Sequence, residues 1–519
     1  MKTFGKTLLS IFLIIVASVL ADPFLIKLAN GDIKKEQPQA FSKVRWLVNL
    51  PQWDFDGKWE QHPALLEISR ITGVLPEIIK PEQYDNNNLL ESMIASDDLP
   101  DIITLNLADS NVNRMIRTQC VLPYDEVINR YLPEFEEEID AEIWSRLKYT
   151  DGKLYVLPGG FIPEDRFSRK TGIGTATFNV RKDIYLQLGK PDMDTPEAFI
   201  NVLKMFKENY PVIKGSSAIP TSLFGYDSTQ LSIIEEAFGI RNFFEDKAGN
   251  LRIRYKNPNY LQLVFFLNEL YREGLLDRYA FIKKHEQIQK DLNEGKVFAV
   301  SMNYKTLADI NSGMGSQKQD SNYVAISPLK GVEDVSFSGE CRLGNTVTMI
   351  SKDCREIQET LKLLSFLWSP EGNLMANFGQ EGKDYRVDSD EVFKLNNSSD
   401  NFRLLYYPYF NIREAGDISE DFMASTMIAD KFVYDSSAYI WNMQPASDMK
   451  LWGIHQDIIN IVDREFPKAI MAQSKEGAYQ FYKSMLFKLD KAGVAELEAY
   501  WSQQYKENTS ISIGSTSLN

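Results

Sequence analysis

Residues 243–277 read FFEDKAGNLRIRYKNPNYLQLVFFLNELYREGLLD, and this stretch indicates the fold most clearly. A short hairpin is followed by an amphipathic helix over Pro258–Glu273, which Gly274 closes. The segment then runs on as Leu275-Leu276-Asp277. A hairpin, a helix and a glycine stop in close succession predict a globular domain of mixed α/β structure.

The same alternation of strands and helices is present nearer the N-terminus. Val44–Leu50 (VRWLVNL) predicts a buried strand, and His62–Thr72 predicts a helix that ends at Gly73. Leu89–Ser96 predicts a second short helix, and Asp101–Leu105 predicts the next strand. Strands that alternate with helices are typical of a mainly parallel α/β sheet.

The pattern continues to the C-terminal end. Further strands are predicted over Ala176–Val180, Val297–Met302 and Leu343–Ser351. Further helices are predicted to start at Thr195-Pro196-Glu197, to cover 357–368 and to run over Glu476–Lys506. The last thirteen residues, 507–519, are interpreted as a frayed tail.

Composition and charge narrow the functional classes. The 519 residues are 44% hydrophobic and 25% charged, which excludes collagen-like, disordered and disulfide-scaffold classes. The net charge is −15, and an acidic excess of this kind repels nucleic acid and anionic lipid. We therefore expect neither nucleic acid nor a membrane surface as the main partner.

Few residues suit a metal or a disulfide. The three histidines (His62, His285 and His455) lie far apart in the sequence, so a histidine-rich metal site is not expected. Asp54–Gly57 resembles the start of a calcium loop, but Lys58 stands at its fifth position, so we interpret it as a turn and predict no metal or cofactor. The odd number of cysteines leaves at least one of Cys120, Cys341 and Cys354 outside any internal pair, and the predicted strand between the last two argues against their bonding.

The first 21 residues have the pattern of a secretory signal peptide. Lys2 and Lys6 precede an apolar run over Leu8–Leu20, and Ala21 stands before the expected cleavage point. Thirteen apolar residues are fewer than the ~20 that a membrane-spanning helix needs. We therefore expect an exported protein, periplasmic or at the cell surface, although an uncleaved signal that serves as an anchor remains an alternative.

Several blocks, in this order, resemble the extracellular solute-binding proteins of family 1 of ABC transporters, and above all their long, sugar-binding, lipoprotein-type members. The blocks are SDDLPDIITLN (96–106), LPYDEVINRYLPEF (122–135), YTDGKLYVLP (149–158), FNVRKDIYLQLGKPDMDTPEAFINVLKMFKE (178–208), the stretch 243–277, LNEGKVFAVSMNY (292–304), LSFLWSPEGNLMANFGQEGKDYRV (364–387) and FYKSMLFKLDKAGVAELEAYWSQQY (481–505). Lipoprotein-type members carry a lipid-bearing cysteine after the signal, whereas Asp22 follows Ala21 here. The resemblance therefore leaves membrane tethering in doubt.

The resemblance implies a two-lobed, periplasmic-binding-protein-like α/β fold of type II, with a hinge and a ligand cleft between the lobes. The implied order is a signal peptide (1–21), a flexible lead-in (22–42), a first lobe (43–160 plus 340–380), a second lobe (165–336 plus 386–506) and a tail (507–519). Hinge crossings are expected near Phe161–Thr171, Ser336–Arg342 and Gly379–Arg386.

Sugar binding calls for aromatic platforms and polar groups at strand ends. The aromatic platforms that we consider are Trp53, Trp59, Tyr304, Trp441 and Trp452; the polar ligands are Asn106, Asp109, Asn303 and Arg342. Each tryptophan is alternatively a packing residue, and each asparagine or aspartate is alternatively a turn residue. Of this set, Tyr304 is the favoured platform, because the resemblance implies an aromatic residue near this position.

The protein is predicted to capture a carbohydrate, an oligosaccharide in the first place, and to deliver it to the permease subunits of an ABC importer. It is predicted to be a monomer that closes around its ligand. A secreted carbohydrate-active enzyme is one alternative, because a pair of catalytic carboxylates could lie anywhere among 72 acidic residues. The sequence has neither G-x-S-x-G nor H-E-x-x-H, and we expect binding rather than catalysis. A ligand-sensing subunit of a membrane signalling system is the other alternative.

Overall fold

The computed structural model describes residues 40–516, apart from residues 51–52, 54, 82–87, 170–173, 175, 224–228, 315–321, 333–337, 389–390, 395–401, 403, 405–410, 414–419 and 448. The predicted signal peptide and nearly all of the predicted lead-in lie outside this range. Among the described helices, none combines the length and the apolar character that crossing a bilayer requires.

The strands are β1 Ser42–Val48, β2 Val74–Ile79, β3 Ile102–Asn106, β4 Val121–Leu122, β5 Leu157–Gly159, β6 Ala176–Arg181, β7 Val212–Ile213, β8 Ser216–Ser217, β9 Ile219–Ser222, β10 Phe243–Glu245, β11 Leu251–Ile253, β12 Val297–Asn303, β13 Tyr323–Ile326, β14 Ser338–Glu340, β15 Thr346–Ser351, β16 Tyr385–Asp388, β17 Glu391–Lys394, β18 Asn411–Arg413 and β19 Val433–Asp435. The helices are α1 Pro63–Thr72, α2 Asn88–Ser96, α3 Ser110–Arg117, α4 Tyr124–Tyr131, α5 Ala141–Arg146, α6 Glu164–Arg169, α7 Lys182–Gln187, α8 Pro196–Asn209, α9 Thr229–Ala237, α10 Tyr260–Arg272, α11 His285–Asn293, α12 Tyr304–Gly313, α13 Ile357–Trp368, α14 Pro370–Phe378, α15 Glu420–Lys431, α16 Lys450–Ile470, α17 Lys475–Lys491 and α18 Val494–Thr516.

The first lobe is built on a six-stranded sheet in the order β2-β1-β3-β15-β4, with β5 also paired to β15. Strand β1 is parallel to both of its neighbours, whereas β15 comes from much later in the chain and runs antiparallel to β3. Trp46, Ile103 and Met349 are fully buried in this lobe's core. Strands buried on both faces account for the continuous apolar runs in the sequence.

The second lobe is built on a four-stranded sheet in the order β13-β6-β12-β9. Strand β12 is parallel to β9 and antiparallel to β6. Its core includes Phe178 from the sheet, Leu263 from α10 and Tyr482 from α17, and it is separate from the core of the first lobe. The helix predicted over Pro258–Glu273 is thus confirmed as α10, which Glu273 and Gly274 end.

The chain passes between the two sheets through four stretches. Residues 160–175 lead from β5 to β6, residues 327–345 lead from β13 back to β15, and residues 379–419 lead from α14 to α15, which lies against β13 and β6. Residues 432–449 then approach the first lobe again before α16. The three predicted crossings fall within the first three stretches. Residues 170–171 and 336–337 of these crossings lie outside the described residues. The fourth stretch is not predicted from the sequence.

Two of these crossings run side by side. Strand β14 on the second crossing pairs in parallel with β19 on the fourth, with Ser338 opposite Val433 and Glu340 opposite Asp435. This two-stranded ribbon joins the lobes with a hydrogen-bonded ladder rather than with separate loops.

Phe402 and Leu404 differ from the predicted domain order, which gives 386–506 to the second lobe. Tyr385 packs with Leu374 and Phe378 of α14, and Phe402 is fully buried in the core of the first lobe. Apolar residues of this kind can pack against either lobe, so the sequence pattern does not decide between them. The structure places Phe402 and Leu404 in the core of the first lobe.

The C-terminal region also differs from its prediction. The helix expected over Glu476–Lys506 is two helices, since Gly493 takes a left-handed φ of +94° between α17 and α18. The expected frayed tail is helical as far as Thr516. The side-chain amide of Asn508 donates to the carbonyl oxygens of Ala438 and Trp441, which fixes the helix against the fourth crossing.

Candidate functional site

Three of the predicted ligand-binding positions follow the C-terminal ends of β1 and β3 in the first lobe. Trp53 follows β1, Asn106 ends β3, and Asp109 precedes α3. Because β1 and β3 are parallel neighbours, their C-terminal ends meet at one edge of the sheet. The corresponding position in the second lobe is Asn303 at the end of β12, opposite Ala176 of β6.

Asn106 and Asp109 make local contacts that shape the turn into α3. The side-chain oxygen of Asn106 accepts from the backbone amide of Ala108 at 2.9 Å. The carboxylate of Asp109 accepts from the amide of Asn111 at 2.8 Å and caps the helix. The alternative interpretation as turn residues is therefore supported for both, and a ligand-binding role for them stays a prediction.

Trp53 and Trp59 belong to an aromatic cluster around Phe402. The ring of Phe402 lies 5.5 Å from that of Trp53 and 5.0 Å from that of Trp59, both edge to face. Trp59 is fully buried and its indole N–H donates to Ser69, so the suggestion that it is a sugar platform is wrong. Trp53 is half-buried, with its N–H donating to the carbonyl oxygen of Phe402, and it stays a candidate.

The two second-lobe positions at the end of β12 are only partly described. Asn303 is half-buried. Tyr304 begins α12, but its side chain is outside the described residues, so its role as a platform stays a prediction.

Trp441 and Trp452, both predicted in loops, have different surroundings. Trp441 is only 2% exposed and packs in the core of the first lobe, so it is a packing residue rather than a platform. Trp452 is half-buried in the first turn of α16, with its ring 5.7 Å from that of His455. Of these two, only Trp452 stays a candidate platform.

Arg342 cannot serve as the predicted ligand-binding arginine in this conformation. It is 3% exposed, and its guanidinium donates to Glu142 at 2.6 Å and to Glu164 at 2.5 Å. The remaining Nε–H donates to the carbonyl oxygen of Ile162. Its hydrogen-bonding capacity is thus used by this chain's own acidic residues.

The structure reveals a polar contact between the lobes that the sequence analysis misses. The side-chain amide of Asn113, on α3, donates to the carbonyl oxygen of Gln444 at 2.7 Å. One turn away, the hydroxyl of Ser447 donates to Asn111 at 3.0 Å. Residues 444–447 directly precede α16, whose Ile454 and Ile458 lie in the core of the second lobe.

Buried hydrogen-bond acceptors lie at this contact without partners among the described residues. They are Oδ1 of Asn113 and Oε1 of Gln444. Asn113 is only 6% exposed, so its oxygen has little access to bulk solvent. Leaving a buried acceptor unsatisfied costs about 1–3 kcal/mol, and a ligand that donates hydrogen bonds would offset this cost.

The charges near the contact favour a neutral ligand over an anion. Arg114 on α3 forms an ion pair with Glu91 and also approaches the hydroxyl of Ser447. Burial lowers the pKa of His455, which keeps its ring neutral at neutral pH. No such polar contact could be read from the sequence, since single Asn and Gln residues carry no positional signal.

The three cysteines are free thiols in the structure. Asp56 of the rejected calcium loop accepts hydrogen bonds from the amide of Lys58 and from His62, which is a turn arrangement. Among the described residues, no group of three or more His, Cys, Asp and Glu side chains is placed to hold a metal ion.

Two curated proteins are similar to the chain in sequence, whereas no protein-family model matches it. The fructooligosaccharide ABC transporter substrate-binding protein FusA of Streptococcus pneumoniae is 23% identical over 328 residues, which cover 60% of this chain and 58% of FusA. Lipoprotein LipO of Bacillus subtilis is 20% identical over 64% of this chain and 66% of LipO. The chain therefore matches less than two thirds of the length of either relative.

Solved structures share the fold over nearly the whole chain. FusA of S. pneumoniae in complex with kestose superposes with a TM-score of 0.67 at 17% identity, covering 90% of this chain and all of FusA. An extracellular solute-binding protein from Bifidobacterium longum subsp. infantis gives a TM-score of 0.71 at 15% identity, covering 91% of this chain and 99% of that one. An HMO-binding, ABC-transporter-associated solute-binding protein from B. longum infantis gives a TM-score of 0.67 at 14% identity, covering 90% of this chain and 98% of that one.

These comparisons confirm the resemblance seen in the sequence. The predicted two-lobed α/β fold is confirmed as well, because the solved structures that share it are solute-binding proteins and cover both sheets of this chain. The chain has the two-lobed fold of the extracellular solute-binding proteins, and in sequence it is similar to substrate-binding proteins of ABC transporters.

Proposed function

We propose that the chain is an exported solute-binding protein that captures a carbohydrate, an oligosaccharide in the first place, between its two lobes and delivers it to an ABC importer. The observation that carries the proposal is the pair of buried acceptors where α3 of the first lobe meets residues 444–447. The similarity in sequence to FusA, which binds fructooligosaccharides, supports the same function.

The chemistry of this contact suits sugars. Sugar hydroxyls donate hydrogen bonds, and the two groups at the contact, Oδ1 of Asn113 and Oε1 of Gln444, can accept them. The half-buried ring of Trp452 beside His455 offers an apolar face for the C–H groups of a pyranose or furanose ring. We propose Trp53, Asn106, Asp109, Asn303 and Tyr304 as further contacts from the strand ends.

Closure of the lobes would couple binding to transport. A ligand that touches both lobes binds the closed form better than the open form, and this difference shifts the population toward closure. A shift from 1:99 to 99:1 requires about 5.5 kcal/mol of differential affinity. The closed form is then the one that the importer's permease subunits recognise.

The proposal includes the cellular setting. We propose that residues 1–21 direct export, that the protein acts in the periplasm or at the cell surface, and that it works as a monomer, because a large permanent interface would hinder the movement of a lobe. We also propose that it binds without catalysis, as its relative FusA is named a binding protein.

Isothermal titration of the purified protein with neutral oligosaccharides, kestose first, tests this function. The expected result is saturable binding of at least one sugar, with the sugar recovered intact by chromatography. Cleaved sugar would contradict the proposal in favour of an enzyme. Binding that is restricted to peptides or other non-sugar solutes would contradict the carbohydrate part of it.

A further inference from the structure

A cluster of charged side chains around one buried arginine lies where the crossings meet, and we call it the hinge clasp: Glu142, Arg146, Glu164, Arg342 and Asp435. Arg342 is its centre and is the most buried member, at 3% exposure. Its carboxylate partners lie at 2.6 Å (Glu142), 2.5 Å (Glu164) and 3.7 Å (Asp435).

The members of the hinge clasp come from four separate parts of the chain. Glu142 and Arg146 lie on α5 of the first lobe, and Glu164 begins α6 on the first crossing. Arg342 follows β14 on the second crossing, and Asp435 ends β19 on the fourth. One arginine therefore joins three crossings to a helix of the first lobe.

Backbone contacts reinforce the same junction. The amide of Ile162 on the first crossing donates to the carbonyl oxygen of Arg342 at 2.8 Å, and Nε–H of Arg342 donates back to the carbonyl oxygen of Ile162 at 3.1 Å. Arg146 links Glu142 at 3.0 Å to Asp435 at 3.1 Å. The ring of Phe167 lies beneath the guanidinium of Arg342 at 5.5 Å. The crossings are thus fixed to one another at both backbone and side-chain level.

The energetics explain why such a cluster must act as a unit. A buried arginine that loses its carboxylates is left as an uncompensated charge, which is strongly unfavourable. The planar fork of arginine holds several oxygens at fixed angles, whereas the single ammonium of lysine does not. The second lobe therefore rotates more easily when the ion pairs of the hinge clasp stay intact than when they must break.

We infer that Arg342 is a positioning residue that fixes the pivot between the lobes and sets their separation in the absence of ligand. It acts through Glu142, Glu164 and Asp435 and does not touch the ligand. The inference rests on the proposed function, because a defined pivot is what lets ligand binding select one closed arrangement. It replaces the ligand-binding role that the sequence analysis gives to Arg342.

Small-angle X-ray scattering of the purified protein without any sugar tests this inference. The variants are Arg342→Met, which keeps an unbranched side chain but removes the charge, and Arg342→Lys, which keeps the charge but loses the fork. The matched control is Arg169→Met, since Arg169 lies on α6 in the same crossing and forms an exposed ion pair with Asp165. Circular dichroism establishes that each variant is folded.

The expected result is a larger radius of gyration and a broader distance distribution for Arg342→Met, an intermediate change for Arg342→Lys, and no change for Arg169→Met. If wild type binds kestose, the affinity of Arg342→Met falls at least tenfold. A role in stability alone would lower the melting temperature and leave the scattering of the folded variants at the wild-type curve. If folded Arg342→Met scatters as the wild-type protein does, the inference is overturned. If Arg342→Met does not fold, the inference is overturned when Arg342→Lys scatters as the wild-type protein does.

This readout separates the inference from the proposed function. If wild type binds no sugar, the proposed function fails, yet the scattering without sugar still shows whether Arg342 sets the separation of the lobes. If wild type binds sugar and the variants scatter as wild type does, the hinge clasp fails and the proposed function stands.

Discussion

The side-chain amide of Asn113 on α3 donates a 2.7 Å hydrogen bond to the main-chain oxygen of Gln444, which lies 331 residues later in the chain. This contact joins the first lobe to the segment that leads into α16 of the second. The acceptor atoms of both side chains are buried beside it without partners among the described residues. The pair therefore links the two lobes, and its two unpartnered acceptor atoms can accept hydrogen bonds from a ligand.

Replacement of Asn113 by alanine should weaken sugar binding. The change removes the contact with Gln444 and one ligand acceptor, and we expect Kd to rise about tenfold, equivalent to about 1.4 kcal/mol. Titration calorimetry measures this. Asn209→Ala is the control, because it removes a helix asparagine whose amide also donates to a backbone oxygen, far from the site. Equal affinities in the two variants would contradict a role for Asn113 in the site.

Trp452, which stays a candidate platform, and Trp441, which is a core residue, should respond in opposite ways. Trp452→Ala should weaken sugar binding and leave the free energy of unfolding within about 1 kcal/mol, since the residue is only half-buried. Trp441→Ala should lower the free energy of unfolding by about 3–5 kcal/mol, because it removes a core side chain. Urea denaturation measures the free energy of unfolding of both variants, and calorimetry measures their affinity for sugar. A stable Trp441→Ala protein that has lost sugar binding would show that the original prediction for Trp441 was right.

Glu236 should make stability depend on pH. It is half-buried beside the hydroxyl of Tyr434, which donates to it at 2.8 Å, and desolvation raises the pKa of Glu236 to about 7. The folded state therefore holds a proton at Glu236 between pH 4.5 and 7 that the unfolded state has released. Stability from this group is present in full below pH 4.5 and is lost as the pH rises to 7, by about 3 kcal/mol at 1.36 kcal/mol per pKa unit.

Urea denaturation of wild type and Glu236→Gln at several pH values measures this effect. Glutamine cannot ionise, so the variant should gain stability relative to wild type as the pH rises from 4.5 to 7. A constant difference across that range would show that Glu236 titrates as an ordinary glutamate.

Asn508 should stabilise the fold through the C-terminal helix. Its amide donates to the carbonyl oxygens of Trp441, at 2.7 Å, and Ala438, at 3.3 Å. Asn508→Ala should therefore lower the free energy of unfolding by about 1–2 kcal/mol, whereas Lys506→Ala, at an exposed position of the same helix, should not. Equal unfolding curves for both variants would restore the interpretation of residues 507–519 as a tail.

Local patterns in the sequence predict individual elements well. The strand expected over Val44–Leu50 is observed as Ser42–Val48, because a short run of apolar residues is a pattern set by near neighbours in the chain. The strand expected from Leu343 begins only at Thr346, after Gly344 takes a left-handed φ of +81°. Such differences concern element ends and leave the architecture unchanged.

The site residues are harder to predict because their partners are distant in the sequence. Arg342 reads as a polar strand-end residue, yet it is buried against Glu142, 200 residues earlier. Trp59 follows the first strand as a platform would, yet Phe402 covers it from 343 residues later. Asn113 and Gln444 carry no local signal at all. The sequence shows which aromatic and charged residues the chain has, but it does not show which of them are buried by the second lobe and the crossings.

Titration of the purified protein with kestose and other neutral oligosaccharides, followed by chromatography of the sugar, is the most direct test of the central claim. The account predicts saturable binding by the wild-type protein, weaker binding by Asn113→Ala and recovery of the sugar intact. Cleavage of the sugar, or binding that Asn113→Ala and Trp452→Ala both leave unchanged, would contradict a sugar-binding site between these two lobes.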